Sequence, residues 1–193
     1  MRVSDTKQMP LHSSTQEAGP LMLQAFAWDM APDASHWRYL AQHAQSIADL
    51  GVTIIWLPPA YKGNYGLNDV GYGVYDLYDL GEFDQKGTIP TKYGTKNEYL
   101  AAIDALHEAG IAVCADIVLN HRMGADMTEM VRATPINPHD RHEALGEPEM
   151  IEAWTRFTFP GRGGAYSDFT WDWTCFHGID WDAATGREGL WLF

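Results

Sequence analysis

The segment at residues 111–121 constrains the fold of this chain more than any other stretch. It reads Ile-Ala-Val-Cys-Ala-Asp-Ile-Val-Leu-Asn-His, an almost unbroken apolar run with one carboxylate, Asp116, and with Asn120 and His121 at its end. Such a run is typical of a strand buried on both faces of a parallel sheet. A carboxylate there must be paired or hydrogen-bonded. Asp116 is either a structural residue held by backbone or Arg donors, or part of a polar cluster at the mouth of the sheet, which we favour.

Two further apolar runs predict strands at residues 20–28 and 52–57. The first ends in the aromatic Trp28, and β-branched residues fill the second until two prolines end it. We therefore expect three strands, each apolar on both faces, before residue 121.

Helical periodicity separates these strands. The first helix is predicted to open near Ser35 and to end at Gly51, a residue suited to a left-handed stop. The second begins with Thr95 and Glu98, which have the spacing of a capping box, and ends at Gly110. Its predicted buried face comprises Tyr99, Leu100, Ala102, Ile103 and Leu106. Two successive βαβ units require a parallel α/β sheet whose strand ends meet at one edge, where ligands bind.

Two long segments have no such alternation. Residues 60–94 are irregular and rich in tyrosine, and loops of this length in a compact domain are usually functional. Residues 122–193 predict an irregular β-containing insertion after the third strand. Its predicted short strands are at residues 153–159 and 169–176, and its predicted short turns are at residues 127–132 and 141–145.

Charge and composition narrow the functional class. The net charge of −13 would repel phosphates, which argues against nucleic acid as a partner and fits a neutral substrate. Residues 1–19 are polar and mixed in charge, which predicts a disordered leader and neither a signal peptide nor a membrane anchor. Cys114 and Cys175 imply no disulfide framework, which indicates a reducing compartment. Eight Trp are many for this length, and Trp rings often line carbohydrate sites.

Several co-linear motifs resemble the α-amylase superfamily of glycoside hydrolases. The segment Asp116-Ile-Val-Leu-Asn-His121 is similar to the first characteristic region of that superfamily. Further matching segments lie at residues 56–63, 69–73, 75–83 and 91–94. Residues 154–160, 166–169 and 178–181 are similar to the insertion domain of bacterial liquefying and cytoplasmic α-amylases.

The resemblance, which covers about residues 20–193, implies a (β/α)8 TIM barrel with a β-rich domain inserted after its third strand. Residues 20–121 would then be the first three β/α units of the catalytic barrel, and residues 122–193 the start of the inserted domain B. The barrel is expected to be incomplete, because a closed one needs about 200 residues or more. Its open apolar edge predicts aggregation.

The resemblance also implies a substrate-binding site. Tyr72 matches the aromatic residue that stacks on the sugar next to the scissile bond, and His121 the histidine that hydrogen-bonds the same sugar. Trp28 and Gln24 match residues that line this pocket. Asp116 matches a buried aspartate that orders the site and is not the nucleophile.

A calcium site is implied at the same edge of the sheet. Asn120 matches a side-chain ligand of a structural calcium held between barrel and insertion, and calcium takes amide and carboxylate oxygens. No residue of this chain matches the carboxylates that would complete the site, so it is expected to be incomplete. His177 stands where relatives with several metal ions carry Asp, which argues against more than one ion.

The implied activity is endo-hydrolysis of α-1,4-glucosidic bonds in starch, glycogen or maltodextrins by a retaining mechanism, in a cytoplasmic enzyme that is monomeric at full length. Retaining hydrolysis needs a nucleophile and an acid/base carboxyl group. No segment here resembles the motifs that carry them, so we expect no catalytic carboxylate and no hydrolase activity in these 193 residues.

Three alternatives remain open on the sequence alone. The chain could be a non-catalytic α-glucan-binding module with an aromatic groove of Trp28, Tyr61, Tyr65 and Tyr72. It could be a gene remnant without a folded state, or a sister enzyme of the superfamily that acts by transglycosylation or on another α-glucoside.

Overall fold

The computed structural model describes residues 19–193, so the leader predicted at residues 1–19 lies outside the described residues apart from its last position. Within that range no helix is both long and apolar enough to cross a membrane. In chain order the elements are β1 (Met22–Gln24), α1 (His36–Asp49), β2 (Ile54–Leu57), β3 (Lys62–Gly63), β4 (Val74–Asp76), α2 (Lys96–Glu108), β5 (Ala112–Ala115), β6 (Met127–Asn137), β7 (Asp140–Ala144), β8 (Glu149–Arg156), β9 (Gly178–Asp182) and β10 (Arg187–Leu192).

A three-stranded parallel sheet, β1-β2-β5, confirms the predicted pairing of two βαβ units. In its register Gln24 lies opposite Trp56, and Trp56 lies opposite Cys114. The carboxyl ends of all three strands therefore meet at one edge. Each strand is shorter than predicted, because only three or four of its residues pair.

Both helices begin and end close to where the sequence predicts. Gly51 has φ +86°, the left-handed conformation expected of a helix stop. At the start of α2 the Thr95 side chain accepts a hydrogen bond from the Glu98 amide, and a Glu98 carboxylate oxygen accepts one from the Thr95 amide at 2.8 Å. Leu100 was predicted to be buried and is 45% exposed, because it lies beside the face formed by Tyr99, Ala102 and Leu106.

The main core lies between the two helices and one face of the sheet. Trp37, Ile55, Leu57 and Leu106 are fully buried there. The opposite face of the sheet is open: Met22 is 52% exposed, Cys114 of β5 on the same face is exposed, and none of the described residues covers them. The prediction of strands buried on both faces is therefore wrong for β1 and β5, since both helices pack on the same side.

Residues 60–94 are irregular yet largely buried, and a network of internal polar contacts holds them. The Lys62 ammonium has no exposed surface, donates to three backbone carbonyls and lies 3.3 Å from the Asp79 carboxylate. The Asp76 carboxylate accepts a hydrogen bond at 2.8 Å from Arg162, which lies beyond β8. The segment is therefore a packed part of the fold that is tied to the later half of the chain.

The chain after residue 121 forms a five-stranded antiparallel sheet of order β7-β6-β10-β9, with β8 also paired to β6. The turns predicted at residues 127–132 and 141–145 are wrong, because residues 127–132 lie in β6 and residues 141–144 in β7. The strand predicted at residues 153–159 is confirmed as far as Arg156, whereas residues 169–176 contain a 3-10 turn at Trp173–Cys175 instead of a strand. The division of the chain into barrel and inserted domain stays a prediction.

Candidate functional site

Asp116 follows β5 directly and lies at the edge where the parallel strands end. One of its carboxylate oxygens, Oδ2, accepts hydrogen bonds from the Trp56 indole at 3.2 Å and from the Tyr72 hydroxyl at 2.8 Å. The residue is half-buried and has left the strand, so the prediction of a carboxylate inside a strand buried on both faces is wrong. The hydrogen-bond donors to Asp116 are two aromatic side chains, and neither the backbone nor an Arg within residues 19–193 donates to it. This arrangement favours the interpretation of Asp116 as part of a polar cluster.

Tyr72 joins this cluster to an aromatic surface. Its ring lies parallel to that of Trp28, with centroids 6.1 Å apart and planes 7° apart, and Trp28 is 67% exposed. Partial burial and the hydrogen bond to Asp116 raise the pKa of Tyr72 to about 12. The phenol is therefore neutral at physiological pH and holds its proton toward the carboxylate.

His121 contacts the backbone of Tyr72. Its Nε2 lies 2.8 Å from the Tyr72 backbone carbonyl, and because a carbonyl only accepts, Nε2 carries the hydrogen. The Nδ1 atom of this exposed ring remains for another partner. Asp116, Tyr72, Trp28 and His121 thus form one constellation, as the sequence led us to expect of neighbours at one sheet edge.

The other two site residues of the sequence analysis are less closely connected. The Gln24 amide donates to the Phe26 carbonyl at 3.1 Å and reaches the cluster only indirectly, because the Phe26 ring packs edge-on against Trp56 at 5.5 Å. Asn120 is exposed, and its side chain makes no hydrogen bond within residues 19–193.

The prediction that four aromatic residues form a binding groove is wrong for one of them, Tyr61. Tyr61 is 5% exposed, and its hydroxyl accepts a hydrogen bond from the Val118 amide at 2.9 Å, so it supports the strand end from behind. Tyr65 is 63% exposed. Among these four residues, only Trp28 and Tyr72 stack on each other.

Sequence reasoning did not assign two residues that build the site. Trp56 is the second donor to Asp116, and its position at the end of β2 was the available signal. Asp69 is 5% exposed and accepts hydrogen bonds from the amides of Gly71 and Gly73, on either side of Tyr72. An Asp two residues before a Gly is a common turn former, which could have indicated this role.

The donor set does not make a metal centre by itself. Calcium takes six to eight oxygen ligands, several of them carboxylates. Within residues 19–193 no group of three His, Cys, Asp or Glu side chains could hold a metal ion, and Asn120 offers a single amide oxygen. The constellation offers an aromatic surface, an imidazole nitrogen and a carboxylate that already accepts two hydrogen bonds. This set of groups is suited to binding a polar ring.

Comparison with known proteins points to one family. Residues 25–142 match the family model of the α-amylase catalytic domain. The chain is 51% identical over 172 residues to an α-amylase of Geobacillus stearothermophilus, which covers 89% of this chain and 31% of that protein. It is 50% identical over 171 residues to the cytoplasmic α-amylase of Escherichia coli K12, covering 89% and 34%. The chain thus spans about a third of the length of these relatives.

A solved structure also resembles the fold. Truncated alternansucrase from Leuconostoc mesenteroides NRRL B-1355 superimposes with a TM-score of 0.63 at 29% sequence identity. The match covers 72% of this chain and 13% of that protein.

Proposed function

This chain belongs to the α-amylase family, and from that premise we propose that its strand-end constellation binds one sugar unit of an α-1,4-glucan. The observation that carries the proposal is the parallel pair of Trp28 and Tyr72 beside His121. The C–H face of a pyranose is apolar and its hydroxyls need partners at the ring edge. An exposed aromatic surface next to a free imidazole nitrogen supplies both kinds of contact.

In this proposal each residue has one role. The aromatic surface of Trp28 and Tyr72 holds the sugar face, and His121 Nδ1 takes a hydroxyl. Asp116 holds the Tyr72 ring in place through the phenol hydrogen bond of 2.8 Å. As the resemblance implies, Asp116 is a positioning residue and not the nucleophile. Gln24 completes the wall of the pocket.

For the whole protein we propose endo-hydrolysis of α-1,4 bonds in starch, glycogen or maltodextrins with retention of configuration. The E. coli relative is named a cytoplasmic α-amylase, and we propose the same compartment and a monomeric state here. Retention needs two carboxyl groups about 5 Å apart across the scissile bond. Since no residue of this chain is assigned either role, we propose that the 193-residue polypeptide binds α-glucan without cleaving it.

Calcium binding remains a proposal, and in this chain it concerns Asn120 alone. Asn120 would supply one amide oxygen at the edge of the sheet, and several further oxygen ligands would be needed to complete the site. Calcium would supply a bridge between segments, and no step of sugar binding at Tyr72 depends on it.

Affinity electrophoresis in gels containing glycogen tests the binding proposal. We expect the 193-residue chain to be retarded and Trp28→Ala to migrate as it does in a gel without glycogen. Trp28 is exposed, so this change leaves the fold intact and removes only one half of the aromatic surface. Tyr39→Ala is the matched control, because Tyr39 is 55% exposed on α1 and we expect it to be retarded like the parent.

A reducing-sugar assay on the same chain tests the proposal that it does not cleave α-glucan. We expect no release from soluble starch. Release above a blank would overturn the proposal that the chain binds without cleaving, and unretarded migration of the parent chain would overturn the sugar site itself.

A further inference from the structure

The loop that carries Tyr72 wraps around a single buried carboxylate. Asp69 Oδ1 accepts hydrogen bonds from the amides of Gly71 at 2.8 Å and Gly73 at 3.1 Å. Its Oδ2 accepts one from the amide of Tyr65 at 3.1 Å. Asp69 is 5% exposed, and none of the described Lys, Arg or His residues forms an ion pair with it. Backbone amides alone therefore compensate this buried charge.

Glycines around Asp69 leave room for this arrangement. A Cβ atom on Gly63 would lie 2.2 Å from Asp69 Cγ, and one on Gly73 would lie 2.3 Å from Asp69 Oδ2. Gly71 has φ +102°, and its Cβ would lie 2.6 Å from the Pro59 ring. The loop therefore closes tightly against the carboxylate and against the end of β2, with Tyr72 between the two bonded amides.

Two other hydrogen bonds hold the ends of the loop, whereas Asp69 holds its middle. The Tyr93 hydroxyl donates to the Val70 carbonyl at 3.0 Å, and the Asn64 amide donates to the Gly73 carbonyl at 2.7 Å. Asp69 alone bonds the amides on both sides of Tyr72. Through this peptide segment it also fixes the Tyr72 carbonyl that His121 contacts at 2.8 Å.

We propose that Asp69 is a second positioning residue of the sugar site, in addition to Asp116, and that it sets both the ring of Tyr72 and the imidazole of His121 through the Gly71 and Gly73 amides. The inference rests on the proposed α-glucan function of this site. Asp69 touches no substrate; it acts through Tyr72. An Asp is required because both of its oxygens accept, whereas an Asn side chain would turn an NH2 group toward one of the three amides.

A double-mutant cycle with maltohexaose as the probe tests this inference on the 193-residue chain. We expect Asp69→Asn to weaken binding by about tenfold, the order of one lost charge-assisted hydrogen bond. Tyr72→Ala should weaken it at least as much, and the double variant should lose less than the sum of the two single losses, because part of the Asp69 effect passes through the Tyr72 ring. Asp104→Asn, which removes an exposed carboxylate on α2, is the control and should bind like the parent.

Additive losses in the cycle would overturn the inference, since they would show that Asp69 acts elsewhere. Amide hydrogen exchange separates this outcome from failure of the glucan proposal. Exchange at Gly71 and Gly73 should accelerate in Asp69→Ala, which removes both acceptor oxygens, and stay unchanged in Asp104→Ala, whether or not maltohexaose binds. Unchanged exchange at both glycines would overturn the positioning role even if the parent chain binds the sugar.

Discussion

At the scale of single residues, Tyr72 unites the site because contacts of three kinds converge on it. Trp28 stacks on its ring, Asp116 accepts from its hydroxyl and His121 contacts its carbonyl. Its backbone is held by the hydrogen bonds that the neighbouring Gly71 and Gly73 amides donate to Asp69, and its side chain by the bond to Asp116. Changes to this one residue therefore report on the whole constellation.

The raised pKa of Tyr72 predicts how stability depends on pH. The group titrates at about 12 in the folded protein against 10.0 for a free tyrosine, because burial and Asp116 favour the neutral phenol. The folded state therefore binds more protons in this window, so the stability that the phenol contributes is present below pH 10.0 and is lost as pH rises toward 12.

Urea unfolding just below pH 10.0 and again near pH 12 measures this loss. We expect Tyr72→Phe to lose less stability across the window than the parent chain, because the variant cannot titrate there. An equal loss in both proteins would contradict the assignment. Tyr75, whose pKa is also raised, is present in both proteins and does not depend on Tyr72, so its contribution cancels in the comparison.

At the scale of elements, the start of α2 shows how local chemistry and packing combine. The reciprocal bonds of Thr95 and Glu98 satisfy two amides that the helix itself leaves unpaired. Arg38 of α1 also donates to the Glu98 carboxylate, so the cap ties the two helices together. The helices then place Trp37 against Tyr99, with ring centroids 4.8 Å apart.

We expect Thr95→Ala to lower the free energy of unfolding by about 1 kcal/mol, the usual effect of losing a helix N-cap. Chemical denaturation monitored by circular dichroism measures it. Thr170→Ala is the control, because Thr170 is exposed and its side chain makes no hydrogen bond within residues 19–193. A loss in the control equal to that of Thr95→Ala would mean that the cap contributes nothing specific.

At the scale of the whole molecule, buried polar contacts join the parallel-sheet half to the antiparallel sheet. The Arg162 side chain is 1% exposed and lies 2.8 Å from Asp76, whose carboxylate also accepts from Gln85 at 3.0 Å. Tyr75 adds a second link, since its hydroxyl donates to Asp126 at 2.7 Å and its ring packs against Phe159. These links place the irregular segment, and with it Tyr72, in a fixed position.

Removing the guanidinium tests how much this junction contributes. We expect Arg162→Met to destabilise the chain by about 3 kcal/mol, because the Asp76 charge would stay buried without its cation. Arg156→Met is the matched control, since the Arg156 side chain, which pairs with Glu129 at 3.5 Å, is 47% exposed, and such pairs contribute about 0–1 kcal/mol. Equal losses in urea titrations would contradict a junction held by buried charge.

The sequence by itself determined the features that depend on neighbouring residues. The capping box of Thr95 and Glu98, the helix stop at Gly51 and the parallel pairing of three strands were all predicted, because short-range spacing and the βαβ rule control them. The meeting of Asp116, Tyr72, Trp28 and His121 rested on the resemblance and on the common strand edge.

Only the tertiary structure decided which surfaces are covered and which distant groups meet. The burial of Tyr61, the open face beside Met22 and the strand at residues 127–132 depend on partners far along the chain. The bond from Trp56 to Asp116 spans 60 residues. Periodicity in a sequence reports whether a residue can be buried, whereas the neighbour that buries it is fixed by long-range packing, and the physical chemistry of the site follows from that neighbour.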